Sequence, residues 1–356
     1  MKRILTLDGG GIHGLFTLGI LGKVEAILRA RYEKPDLVLG DHYDLIAGTS
    51  TGAIIATALA WGEPVATVRE RYLANARIAF RKSSFFRQHK FRYGRESISD
   101  YLRGWFAEAD GSPALLGTDR LRSLLLVVMR NGSTGSPWPV SNNPTARFND
   151  RSLPDCNLNI PLWQLVRAST AAPTYFPAET IQLGDQQFDF IDGGISPYNN
   201  PAFIAYQQAT LAPYRLEWPT GEDQLHLLSV GTGTLKPIPR KNSFHDMHVI
   251  DHVQNVVTSL MYSSAVQQDL CCRMLGRTLY GAVIDSEVGD LGELHREGTA
   301  AFTYTRFDKL YTPAEQDAAL RESKRGLVLD NLDLIPFITD QGERYAESYV
   351  SPEHIR

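Results

Sequence analysis

Residues 3–59 run twice from a short apolar strand through a glycine turn into an apolar helix, and that recurrence narrows what the chain can fold into. The first unit is Arg3-Ile4-Leu5-Thr6-Leu7, then Asp8-Gly9-Gly10-Gly11, then a stretch in which Leu15, Leu18, Gly19, Gly22, Val24 and Ile27 keep helical spacing up to Arg31. The second is Tyr43-Asp44-Leu45-Ile46-Ala47, then Gly48-Thr49-Ser50-Thr51-Gly52, then Ala53-Ile54-Ile55-Ala56-Thr57-Ala58-Leu59. Strands joined through helices run in the same direction, so this pattern predicts an α/β fold that opens on a parallel sheet.

The second turn also carries chemistry. In Gly-x-Ser-x-Gly between a strand and a helix, Gly48 and Gly52 let the backbone through a strained turn that lifts the Ser50 hydroxyl into the open. The following helix aims its free amides and positive dipole end at any charge that develops there. A serine hydroxyl is a weak nucleophile until a base takes its proton. Asp192, opening Asp192-Gly193-Gly194 at the end of a strand over Gln187–Ile191, is the best candidate base. Partial burial raises a carboxylate towards working pH, so an aspartate can serve directly. None of the nine histidines has a comparable strand-end setting after the elbow, although His226 falls at a strand start. An isolated Asp-Gly-Gly is more often a turn cap. Here its partners alter that reading.

Acyl transfer passes through an oxyanion that needs preorganised donors. The run Gly9-Gly10-Gly11, at a strand-to-helix junction, can turn several amides to one point, with Gly10, Gly11 and the amide of Thr51 as the preferred donors. Gly9-x-Gly11-x-x-Gly14 after a strand also fits a dinucleotide-binding turn. That alternative wants an acidic residue closing a second strand. Glu33 and Asp36 flank Pro35 before the next apolar run instead, and nothing in it explains Ser50 or Asp192.

Taken in order, Asp8-Gly9-Gly10-Gly11-Ile12-His13-Gly14, Gly48-Thr49-Ser50-Thr51-Gly52, Ala171-Ala172-Pro173-Thr174-Tyr175-Phe176-Pro177, Asp192-Gly193-Gly194 and Ser229-Val230-Gly231-Thr232-Gly233 resemble the patatin-like phospholipases. The resemblance implies a three-layer α/β/α sandwich with a mainly parallel central sheet, and metal-free hydrolysis of lipid acyl esters. It implies Ser50 and Asp192 as a catalytic dyad and the glycine run Gly9, Gly10 and Gly11, with Thr51, as the oxyanion hole. His13 departs from the family's usual Arg or Lys, which leaves head-group preference open. Tyr304-Thr305-Arg306-Phe307-Asp308, Leu329-Asp330-Asn331 and Gly342-Glu343-Arg344-Tyr345-Ala346 are similar to bacterial members that act as antiphage effectors. For those, the resemblance implies activation by a cyclic nucleotide from a partner synthase, and attack on the host membrane. A constitutive lipase or esterase, and a catalytically silent lipid- or nucleotide-binding module, are the alternatives.

Bulk properties set the remaining limits. A net charge of -4 over 356 residues argues against binding a nucleic-acid polymer. Three cysteines do not make a disulfide framework, and the odd count fits a reducing cytoplasm. The N-terminus lacks the pattern of a secretion signal, and the apolar stretch Leu45 to Trp61 is explained by strand, elbow and helix. The expectation is a cytoplasmic protein that meets the inner membrane peripherally. Homo-oligomerisation is compatible with a gated enzyme but has no signal in the chain.

Between the motifs, helices are predicted over Thr67–Arg77, Ile98–Phe106, Leu162–Ala171, His248–Leu275 and Leu334–Tyr349, and strands over Leu121–Met129, His226–Val230 and Thr303–Phe307. Asn131 to Asp155, rich in Gly, Ser, Pro and Asn, reads as an irregular excursion. A catalytic unit over 1–240 is expected, with 241–356 a mainly helical segment that completes it or forms a regulatory ligand site. Arg81 to Arg95 carries Arg87, Lys90 and Arg92 among aromatic residues, which suits anionic lipid or the phosphates of a nucleotide as well as it suits a solvated loop. His245, His248 and His252 are spaced for one helix face, but no cysteine joins them and the chemistry needs no metal. Cys271-Cys272 reads as buried packing.

Overall fold

The computed structural model describes residues 1–79, 96–233, 249–285, 287–289, 291, 298–323 and 328–356. In chain order the elements are β1 (Lys2–Leu7), α1 (Gly14–Tyr32), the single turn α2 (Leu39–His42), β2 (Leu45–Thr49), α3 (Thr51–Ala60), α4 (Val65–Ala79) and α5 (Glu96–Trp105). Then come β3 (Leu124–Asn131), β4 (Pro137–Ser141), α6 (Leu162–Ser169), β5 (Glu179–Leu183), β6 (Gln186–Asp192), α7 (Ala202–Thr210) and β7 (Leu225–Val230). The chain closes with α8 (Val249–Leu275), β8 (Gly276–Tyr280), β9 (Phe302–Phe307), α9 (Pro313–Glu322) and α10 (Ile335–Tyr349).

Among the described residues nine strands form one sheet in the order β5-β6-β3-β2-β1-β7-β9-β8, with β4 added to β3. The pairs from β3 through β2, β1, β7 and β9 to β8 are parallel, whereas β4, β5 and β6 join antiparallel. Side chains alternate across each strand, and both faces are apolar. Leu5, Leu7, Ile46, Leu125, Val127 and Val230 face a core shared with α1, α3 and α6. Ile4, Leu45, Ala47, Leu126, Leu225 and Leu227 face a second core with α7 and Phe302. Near-continuous apolar strands are what a sheet covered on both faces requires. The result is the three-layer α/β/α arrangement.

The strand β1 lies at the centre, between β2 and β7. Its C-terminal end therefore sits beside the C-terminal ends of both neighbours. Ligands of open parallel sheets bind at that edge, and every glycine turn singled out in the sequence emerges there. β8 and β9, from the segment after residue 240, extend the same sheet, and Tyr345 of α10 packs on Phe16 of α1 with ring centroids 5.3 Å apart.

Two local differences have simple causes. The stretch read as irregular contains β4, in which Trp138 and Val140 alternate with Pro137 and Pro139. Prolines survive there because β4 pairs with β3 alone and needs no donors on its other side. The apolar stretch Gly11–Tyr32 is long enough to cross a membrane by length and composition, yet 67% of its most apolar window is buried. In this fold it is a core helix.

Candidate active site

Ser50 stands between β2 and α3 with φ 53° and ψ −121°, a left-handed conformation that costs a non-glycine residue about 1–3 kcal/mol. Its neighbours make the turn feasible. A side chain on Gly48 would collide with the Gly52 carbonyl, and one on Gly52 with the Leu7 carbonyl, so the elbow packs tightly against itself and β1. The Ser50 amide is tied down by Ser169 Oγ at 2.9 Å, and the Ser169 hydroxyl in turn donates to the Val128 carbonyl at 2.5 Å.

The Ser50 hydroxyl donates to Asp192 Oδ2 across 2.7 Å. Asp192 ends β6, its own amide donates to the Ala171 carbonyl at 3.0 Å, and Oδ1 accepts the Gly194 amide at 2.7 Å. One carboxylate oxygen is thus fixed by the backbone while the other faces the serine. Gly193 and Gly194 form the single turn that allows this. Burial pushes the Asp192 carboxyl up to about 6, against the opposing pull of the Ser50 and Gly194 hydrogen bonds and of the Arg167 charge. Such a group is mostly ionised at pH 7 and still holds a proton readily, which suits a general base.

The glycine loop reaches the same point from β1. Gly11 has φ +56° and would collide with Leu329 if it carried a side chain. The Gly9 amide is spent on the Asn199 carbonyl at 3.1 Å, so of the three glycines it is Gly10 and Gly11 that leave amides without a backbone acceptor among the described residues. Thr51 begins α3, where first-turn amides have no partner within the helix, whereas the Gly14 amide at the start of α1 is spent on the Gly11 carbonyl. Tyr72 of α4 joins these pieces: its hydroxyl donates to the Gly11 carbonyl at 2.5 Å and meets the Thr51 hydroxyl. Beneath the loop, Arg306 of β9 grips Asp8 with two bonds, 2.8 and 2.6 Å, and also donates to Ser229 Oγ at 2.7 Å and Asp308 Oδ2 at 2.9 Å. Burial raises the Asp8 pKa while the guanidinium opposes the rise, and the flanking carboxylates hold Arg306 protonated.

A cavity of about 820 Å³, including its open mouth, begins at Ser50 and Asp192. Its wall is largely apolar, with Ile54, Ala76, Ile98, Phe176, Ile195 and Met261. Buried Asn75 is a polar exception on that wall, and its Oδ1 has no hydrogen-bond partner. The site therefore offers a hydroxyl paired with a buried carboxylate, amides of the glycine loop and the α3 start with no backbone acceptor among the described residues, and an apolar chamber.

Several contributors escaped sequence reasoning. Ser169, Tyr72 and Arg167 carry no local signal, and Asp8 and Arg306 stand in motifs that give no sign of their pairing, because their partners lie on other elements. His226, the one histidine in question, bonds Thr303 Oγ1 through Nδ1 at 3.0 Å at the start of β7, and burial pushes its pKa down to about 3. It belongs to the core. The basic run with Arg87, Lys90 and Arg92 lies outside the described residues, as do His245, His248 and the side chain of His252. Among the described residues no group of three or more His, Cys, Asp and Glu side chains is placed to hold a metal ion. Cys272 is buried and Cys271 half-buried, both as free thiols.

Comparison with known proteins gives the same direction. The family model described as patatin-like phospholipase matches residues 5–206. A cGAMP-activated phospholipase of Vibrio cholerae is 30% identical over 241 residues, covering 65% of this chain and 64% of that protein. A cGAMP-activated phospholipase of Escherichia coli is 30% identical over 234 residues, covering 65% and 62%. A cUMP-AMP-activated phospholipase of Escherichia coli is 27% identical over 241 residues, covering 67% and 66%. The match thus spans just under two thirds of the length of the first two relatives. More than half of the chain fits one family model, and that stretch carries the glycine loop, the elbow and Asp192: the chain belongs to the patatin-like phospholipase family.

Proposed function

We propose that the protein is a lipid acyl hydrolase that cleaves acyl esters of membrane phospholipids through a Ser50–Asp192 dyad. The observation that carries this reading is the 2.7 Å hydrogen bond from Ser50 Oγ to Asp192 Oδ2 at the mouth of an apolar cavity. Asp192 takes the serine proton as Oγ attacks the ester carbonyl. The oxyanion that forms is received by the amides of Gly10, Gly11 and Thr51, and one such donor is worth about 2.7–4 kcal/mol. Collapse expels the alcohol with the proton from Asp192. A water activated by the same carboxylate then releases the fatty acid and restores Ser50. Gly9 shapes the loop without donating.

The names of the relatives support a second element, activation by a cyclic nucleotide; its supply by a partner synthase, in bacterial antiphage defence, belongs to the same proposal and rests on the resemblance of the C-terminal motifs alone. On this reading the protein works from the cytoplasm at the inner membrane surface and needs no metal or organic cofactor for the chemistry. The purified protein, given phospholipid vesicles with and without cGAMP, cUMP-AMP and other cyclic nucleotides, tests both parts. Fatty-acid release only with a nucleotide is the expected result. Equal release without one would remove the gating, and no release under any condition would leave a binding module.

A further inference from the structure

The apolar cavity at Ser50 has a direction, and α4 sets it. Tyr72, Asn75, Ala76 and Ala79 all line the cavity and follow one another at helical spacing, so a single face of α4 forms one wall. Tyr72 marks the reacting end, since its hydroxyl donates to the Gly11 carbonyl and meets the Thr51 hydroxyl. An α-helix rises about 1.5 Å per residue, which puts Ala79 about 10 Å further along the axis than Tyr72. The wall leads away from the reacting end.

The side chains on that wall change size at an informative place. In its earlier turns the buried face of α4 carries Val65 and Val68, and then Tyr72. Past Tyr72 the apolar positions drop to Ala76 and Ala79, which are 5% and 7% exposed. A buried helix face ordinarily meets close-packed neighbours, and a hollow left in front of it forfeits packing contacts. At Ala76 and Ala79 a single methyl each leaves that hollow open. Ile54 of α3, Ile98 of α5 and Phe176, all buried, complete an apolar surround. Such a passage accepts a hydrocarbon chain and offers nothing to a charged or hydroxylated group.

We propose that Ala76 and Ala79 set the acyl-chain length the protein accepts, the hollow along α4 receiving the fatty-acyl chain of the ester presented to Ser50. The proposal rests on the reading that Ser50 cleaves a lipid ester, and it narrows the substrate class. Carbon–carbon bonds of about 1.5 Å in an extended zigzag advance about 1.25 Å per carbon, so the strip from Tyr72 to Ala79 spans about eight carbons. Medium- and long-chain acyl esters are therefore the substrates, in preference to acetates and butyrates.

The test uses methyl butyrate, hexanoate, octanoate and decanoate, titrated into the full chain carrying Ser50→Ala, which cannot turn them over. Each buried methylene should tighten binding about fourfold, so the octanoate ester should bind roughly a hundredfold more tightly than the butyrate ester. Adding Ala76→Phe should stop the rise at a shorter chain than adding Ala79→Phe, because Ala76 lies about 4.5 Å nearer the reacting end. Affinity that does not rise with chain length in the Ser50→Ala protein overturns the proposal, as does a rise that neither phenylalanine interrupts. If the phenylalanine variants fail to fold, the alanine methyl signals of the Ser50→Ala protein carry the test. The Ala79 methyl should move with methyl decanoate and stay still with methyl butyrate, and an equal response to both overturns the proposal. Affinity that climbs with chain length, beside a wild-type protein that hydrolyses none of the four esters, upholds the chain passage and places the failure in the catalytic reading.

Discussion

The phenol of Tyr72 donates to the carbonyl of Gly11 across 2.5 Å and touches the Thr51 hydroxyl, so one side chain of α4 ties the glycine loop to the start of α3. These are the two backbone segments that supply the proposed oxyanion donors. Tyr72→Phe removes the tie and leaves the buried ring. The loop should lose its register with the elbow, and kcat should fall about tenfold with little change in KM, because the lost interaction orients transition-state donors. A KM effect alone would show that Tyr72 only shapes the pocket.

Ser50→Ala should reduce ester hydrolysis by about 10⁴-fold or more, with secondary structure intact. The variant should also escape labelling by a fluorophosphonate probe, which mass spectrometry of the intact protein reads directly. Labelling at another serine would sink the assignment.

The Asp192 carboxyl has to be ionised to accept a proton. With its pKa pushed up to about 6, kcat/KM should fall about tenfold per pH unit below that value. Steady-state rates from pH 4.5 to 8 check this, and a flat profile would contradict it.

The same shift has a consequence for stability. A carboxyl whose pKa is higher in the folded than in the unfolded chain favours the folded state at low pH, and that contribution is lost as pH rises from about 4 to about 6. Above pH 6 the buried charge costs about 3 kcal/mol relative to a neutral group, from the difference between 3.8 and about 6. Asp192→Asn should therefore be inactive yet melt higher than wild type at pH 7.5, with the advantage vanishing near pH 4. Melting curves at the two pH values decide it.

Arg306 is buried and doubly bonded to Asp8. Arg306→Met strands that carboxylate and should destabilise the fold by about 3–5 kcal/mol, measured by urea unfolding. Combining it with Asp8→Asn should recover part of the loss, since the buried Asp8 charge is then gone. A double variant as unstable as the single one would mean that packing, not the missing charge, sets the cost.

The fold was legible wherever a segment states its own surroundings. The runs Ile4-Leu5 and Leu45-Ile46-Ala47 announce strands buried on both faces, and each is followed by glycines and a helix. Ser50, Asp192 and the glycine loop were legible for the same reason, since each sits in a turn that glycine makes possible. Strand β8 was not, because Arg277-Thr278-Leu279-Tyr280 directly follows a long helix and has no turn residue beyond Gly276 to mark the change. Helix α9 carried a readable signal that was overlooked: Thr312 and Glu315 form a reciprocal capping box around Pro313. Tyr72, Ser169 and Arg306 act across elements, and a one-dimensional pattern holds no record of which distant backbone a hydroxyl or guanidinium meets.

Asp8 and Arg306 are 298 positions apart, and they join through strands on either side of β7. During synthesis Ser50, Asp192 and the glycine loop all leave the ribosome well before β9 does. The floor beneath the loop thus receives its counter-charge only when nearly the whole polypeptide has been made. A nascent chain stalled before β9 carries Ser50, Asp192 and the glycine loop and still lacks the ion pair beneath that loop, so the order of translation itself delays the completed arrangement.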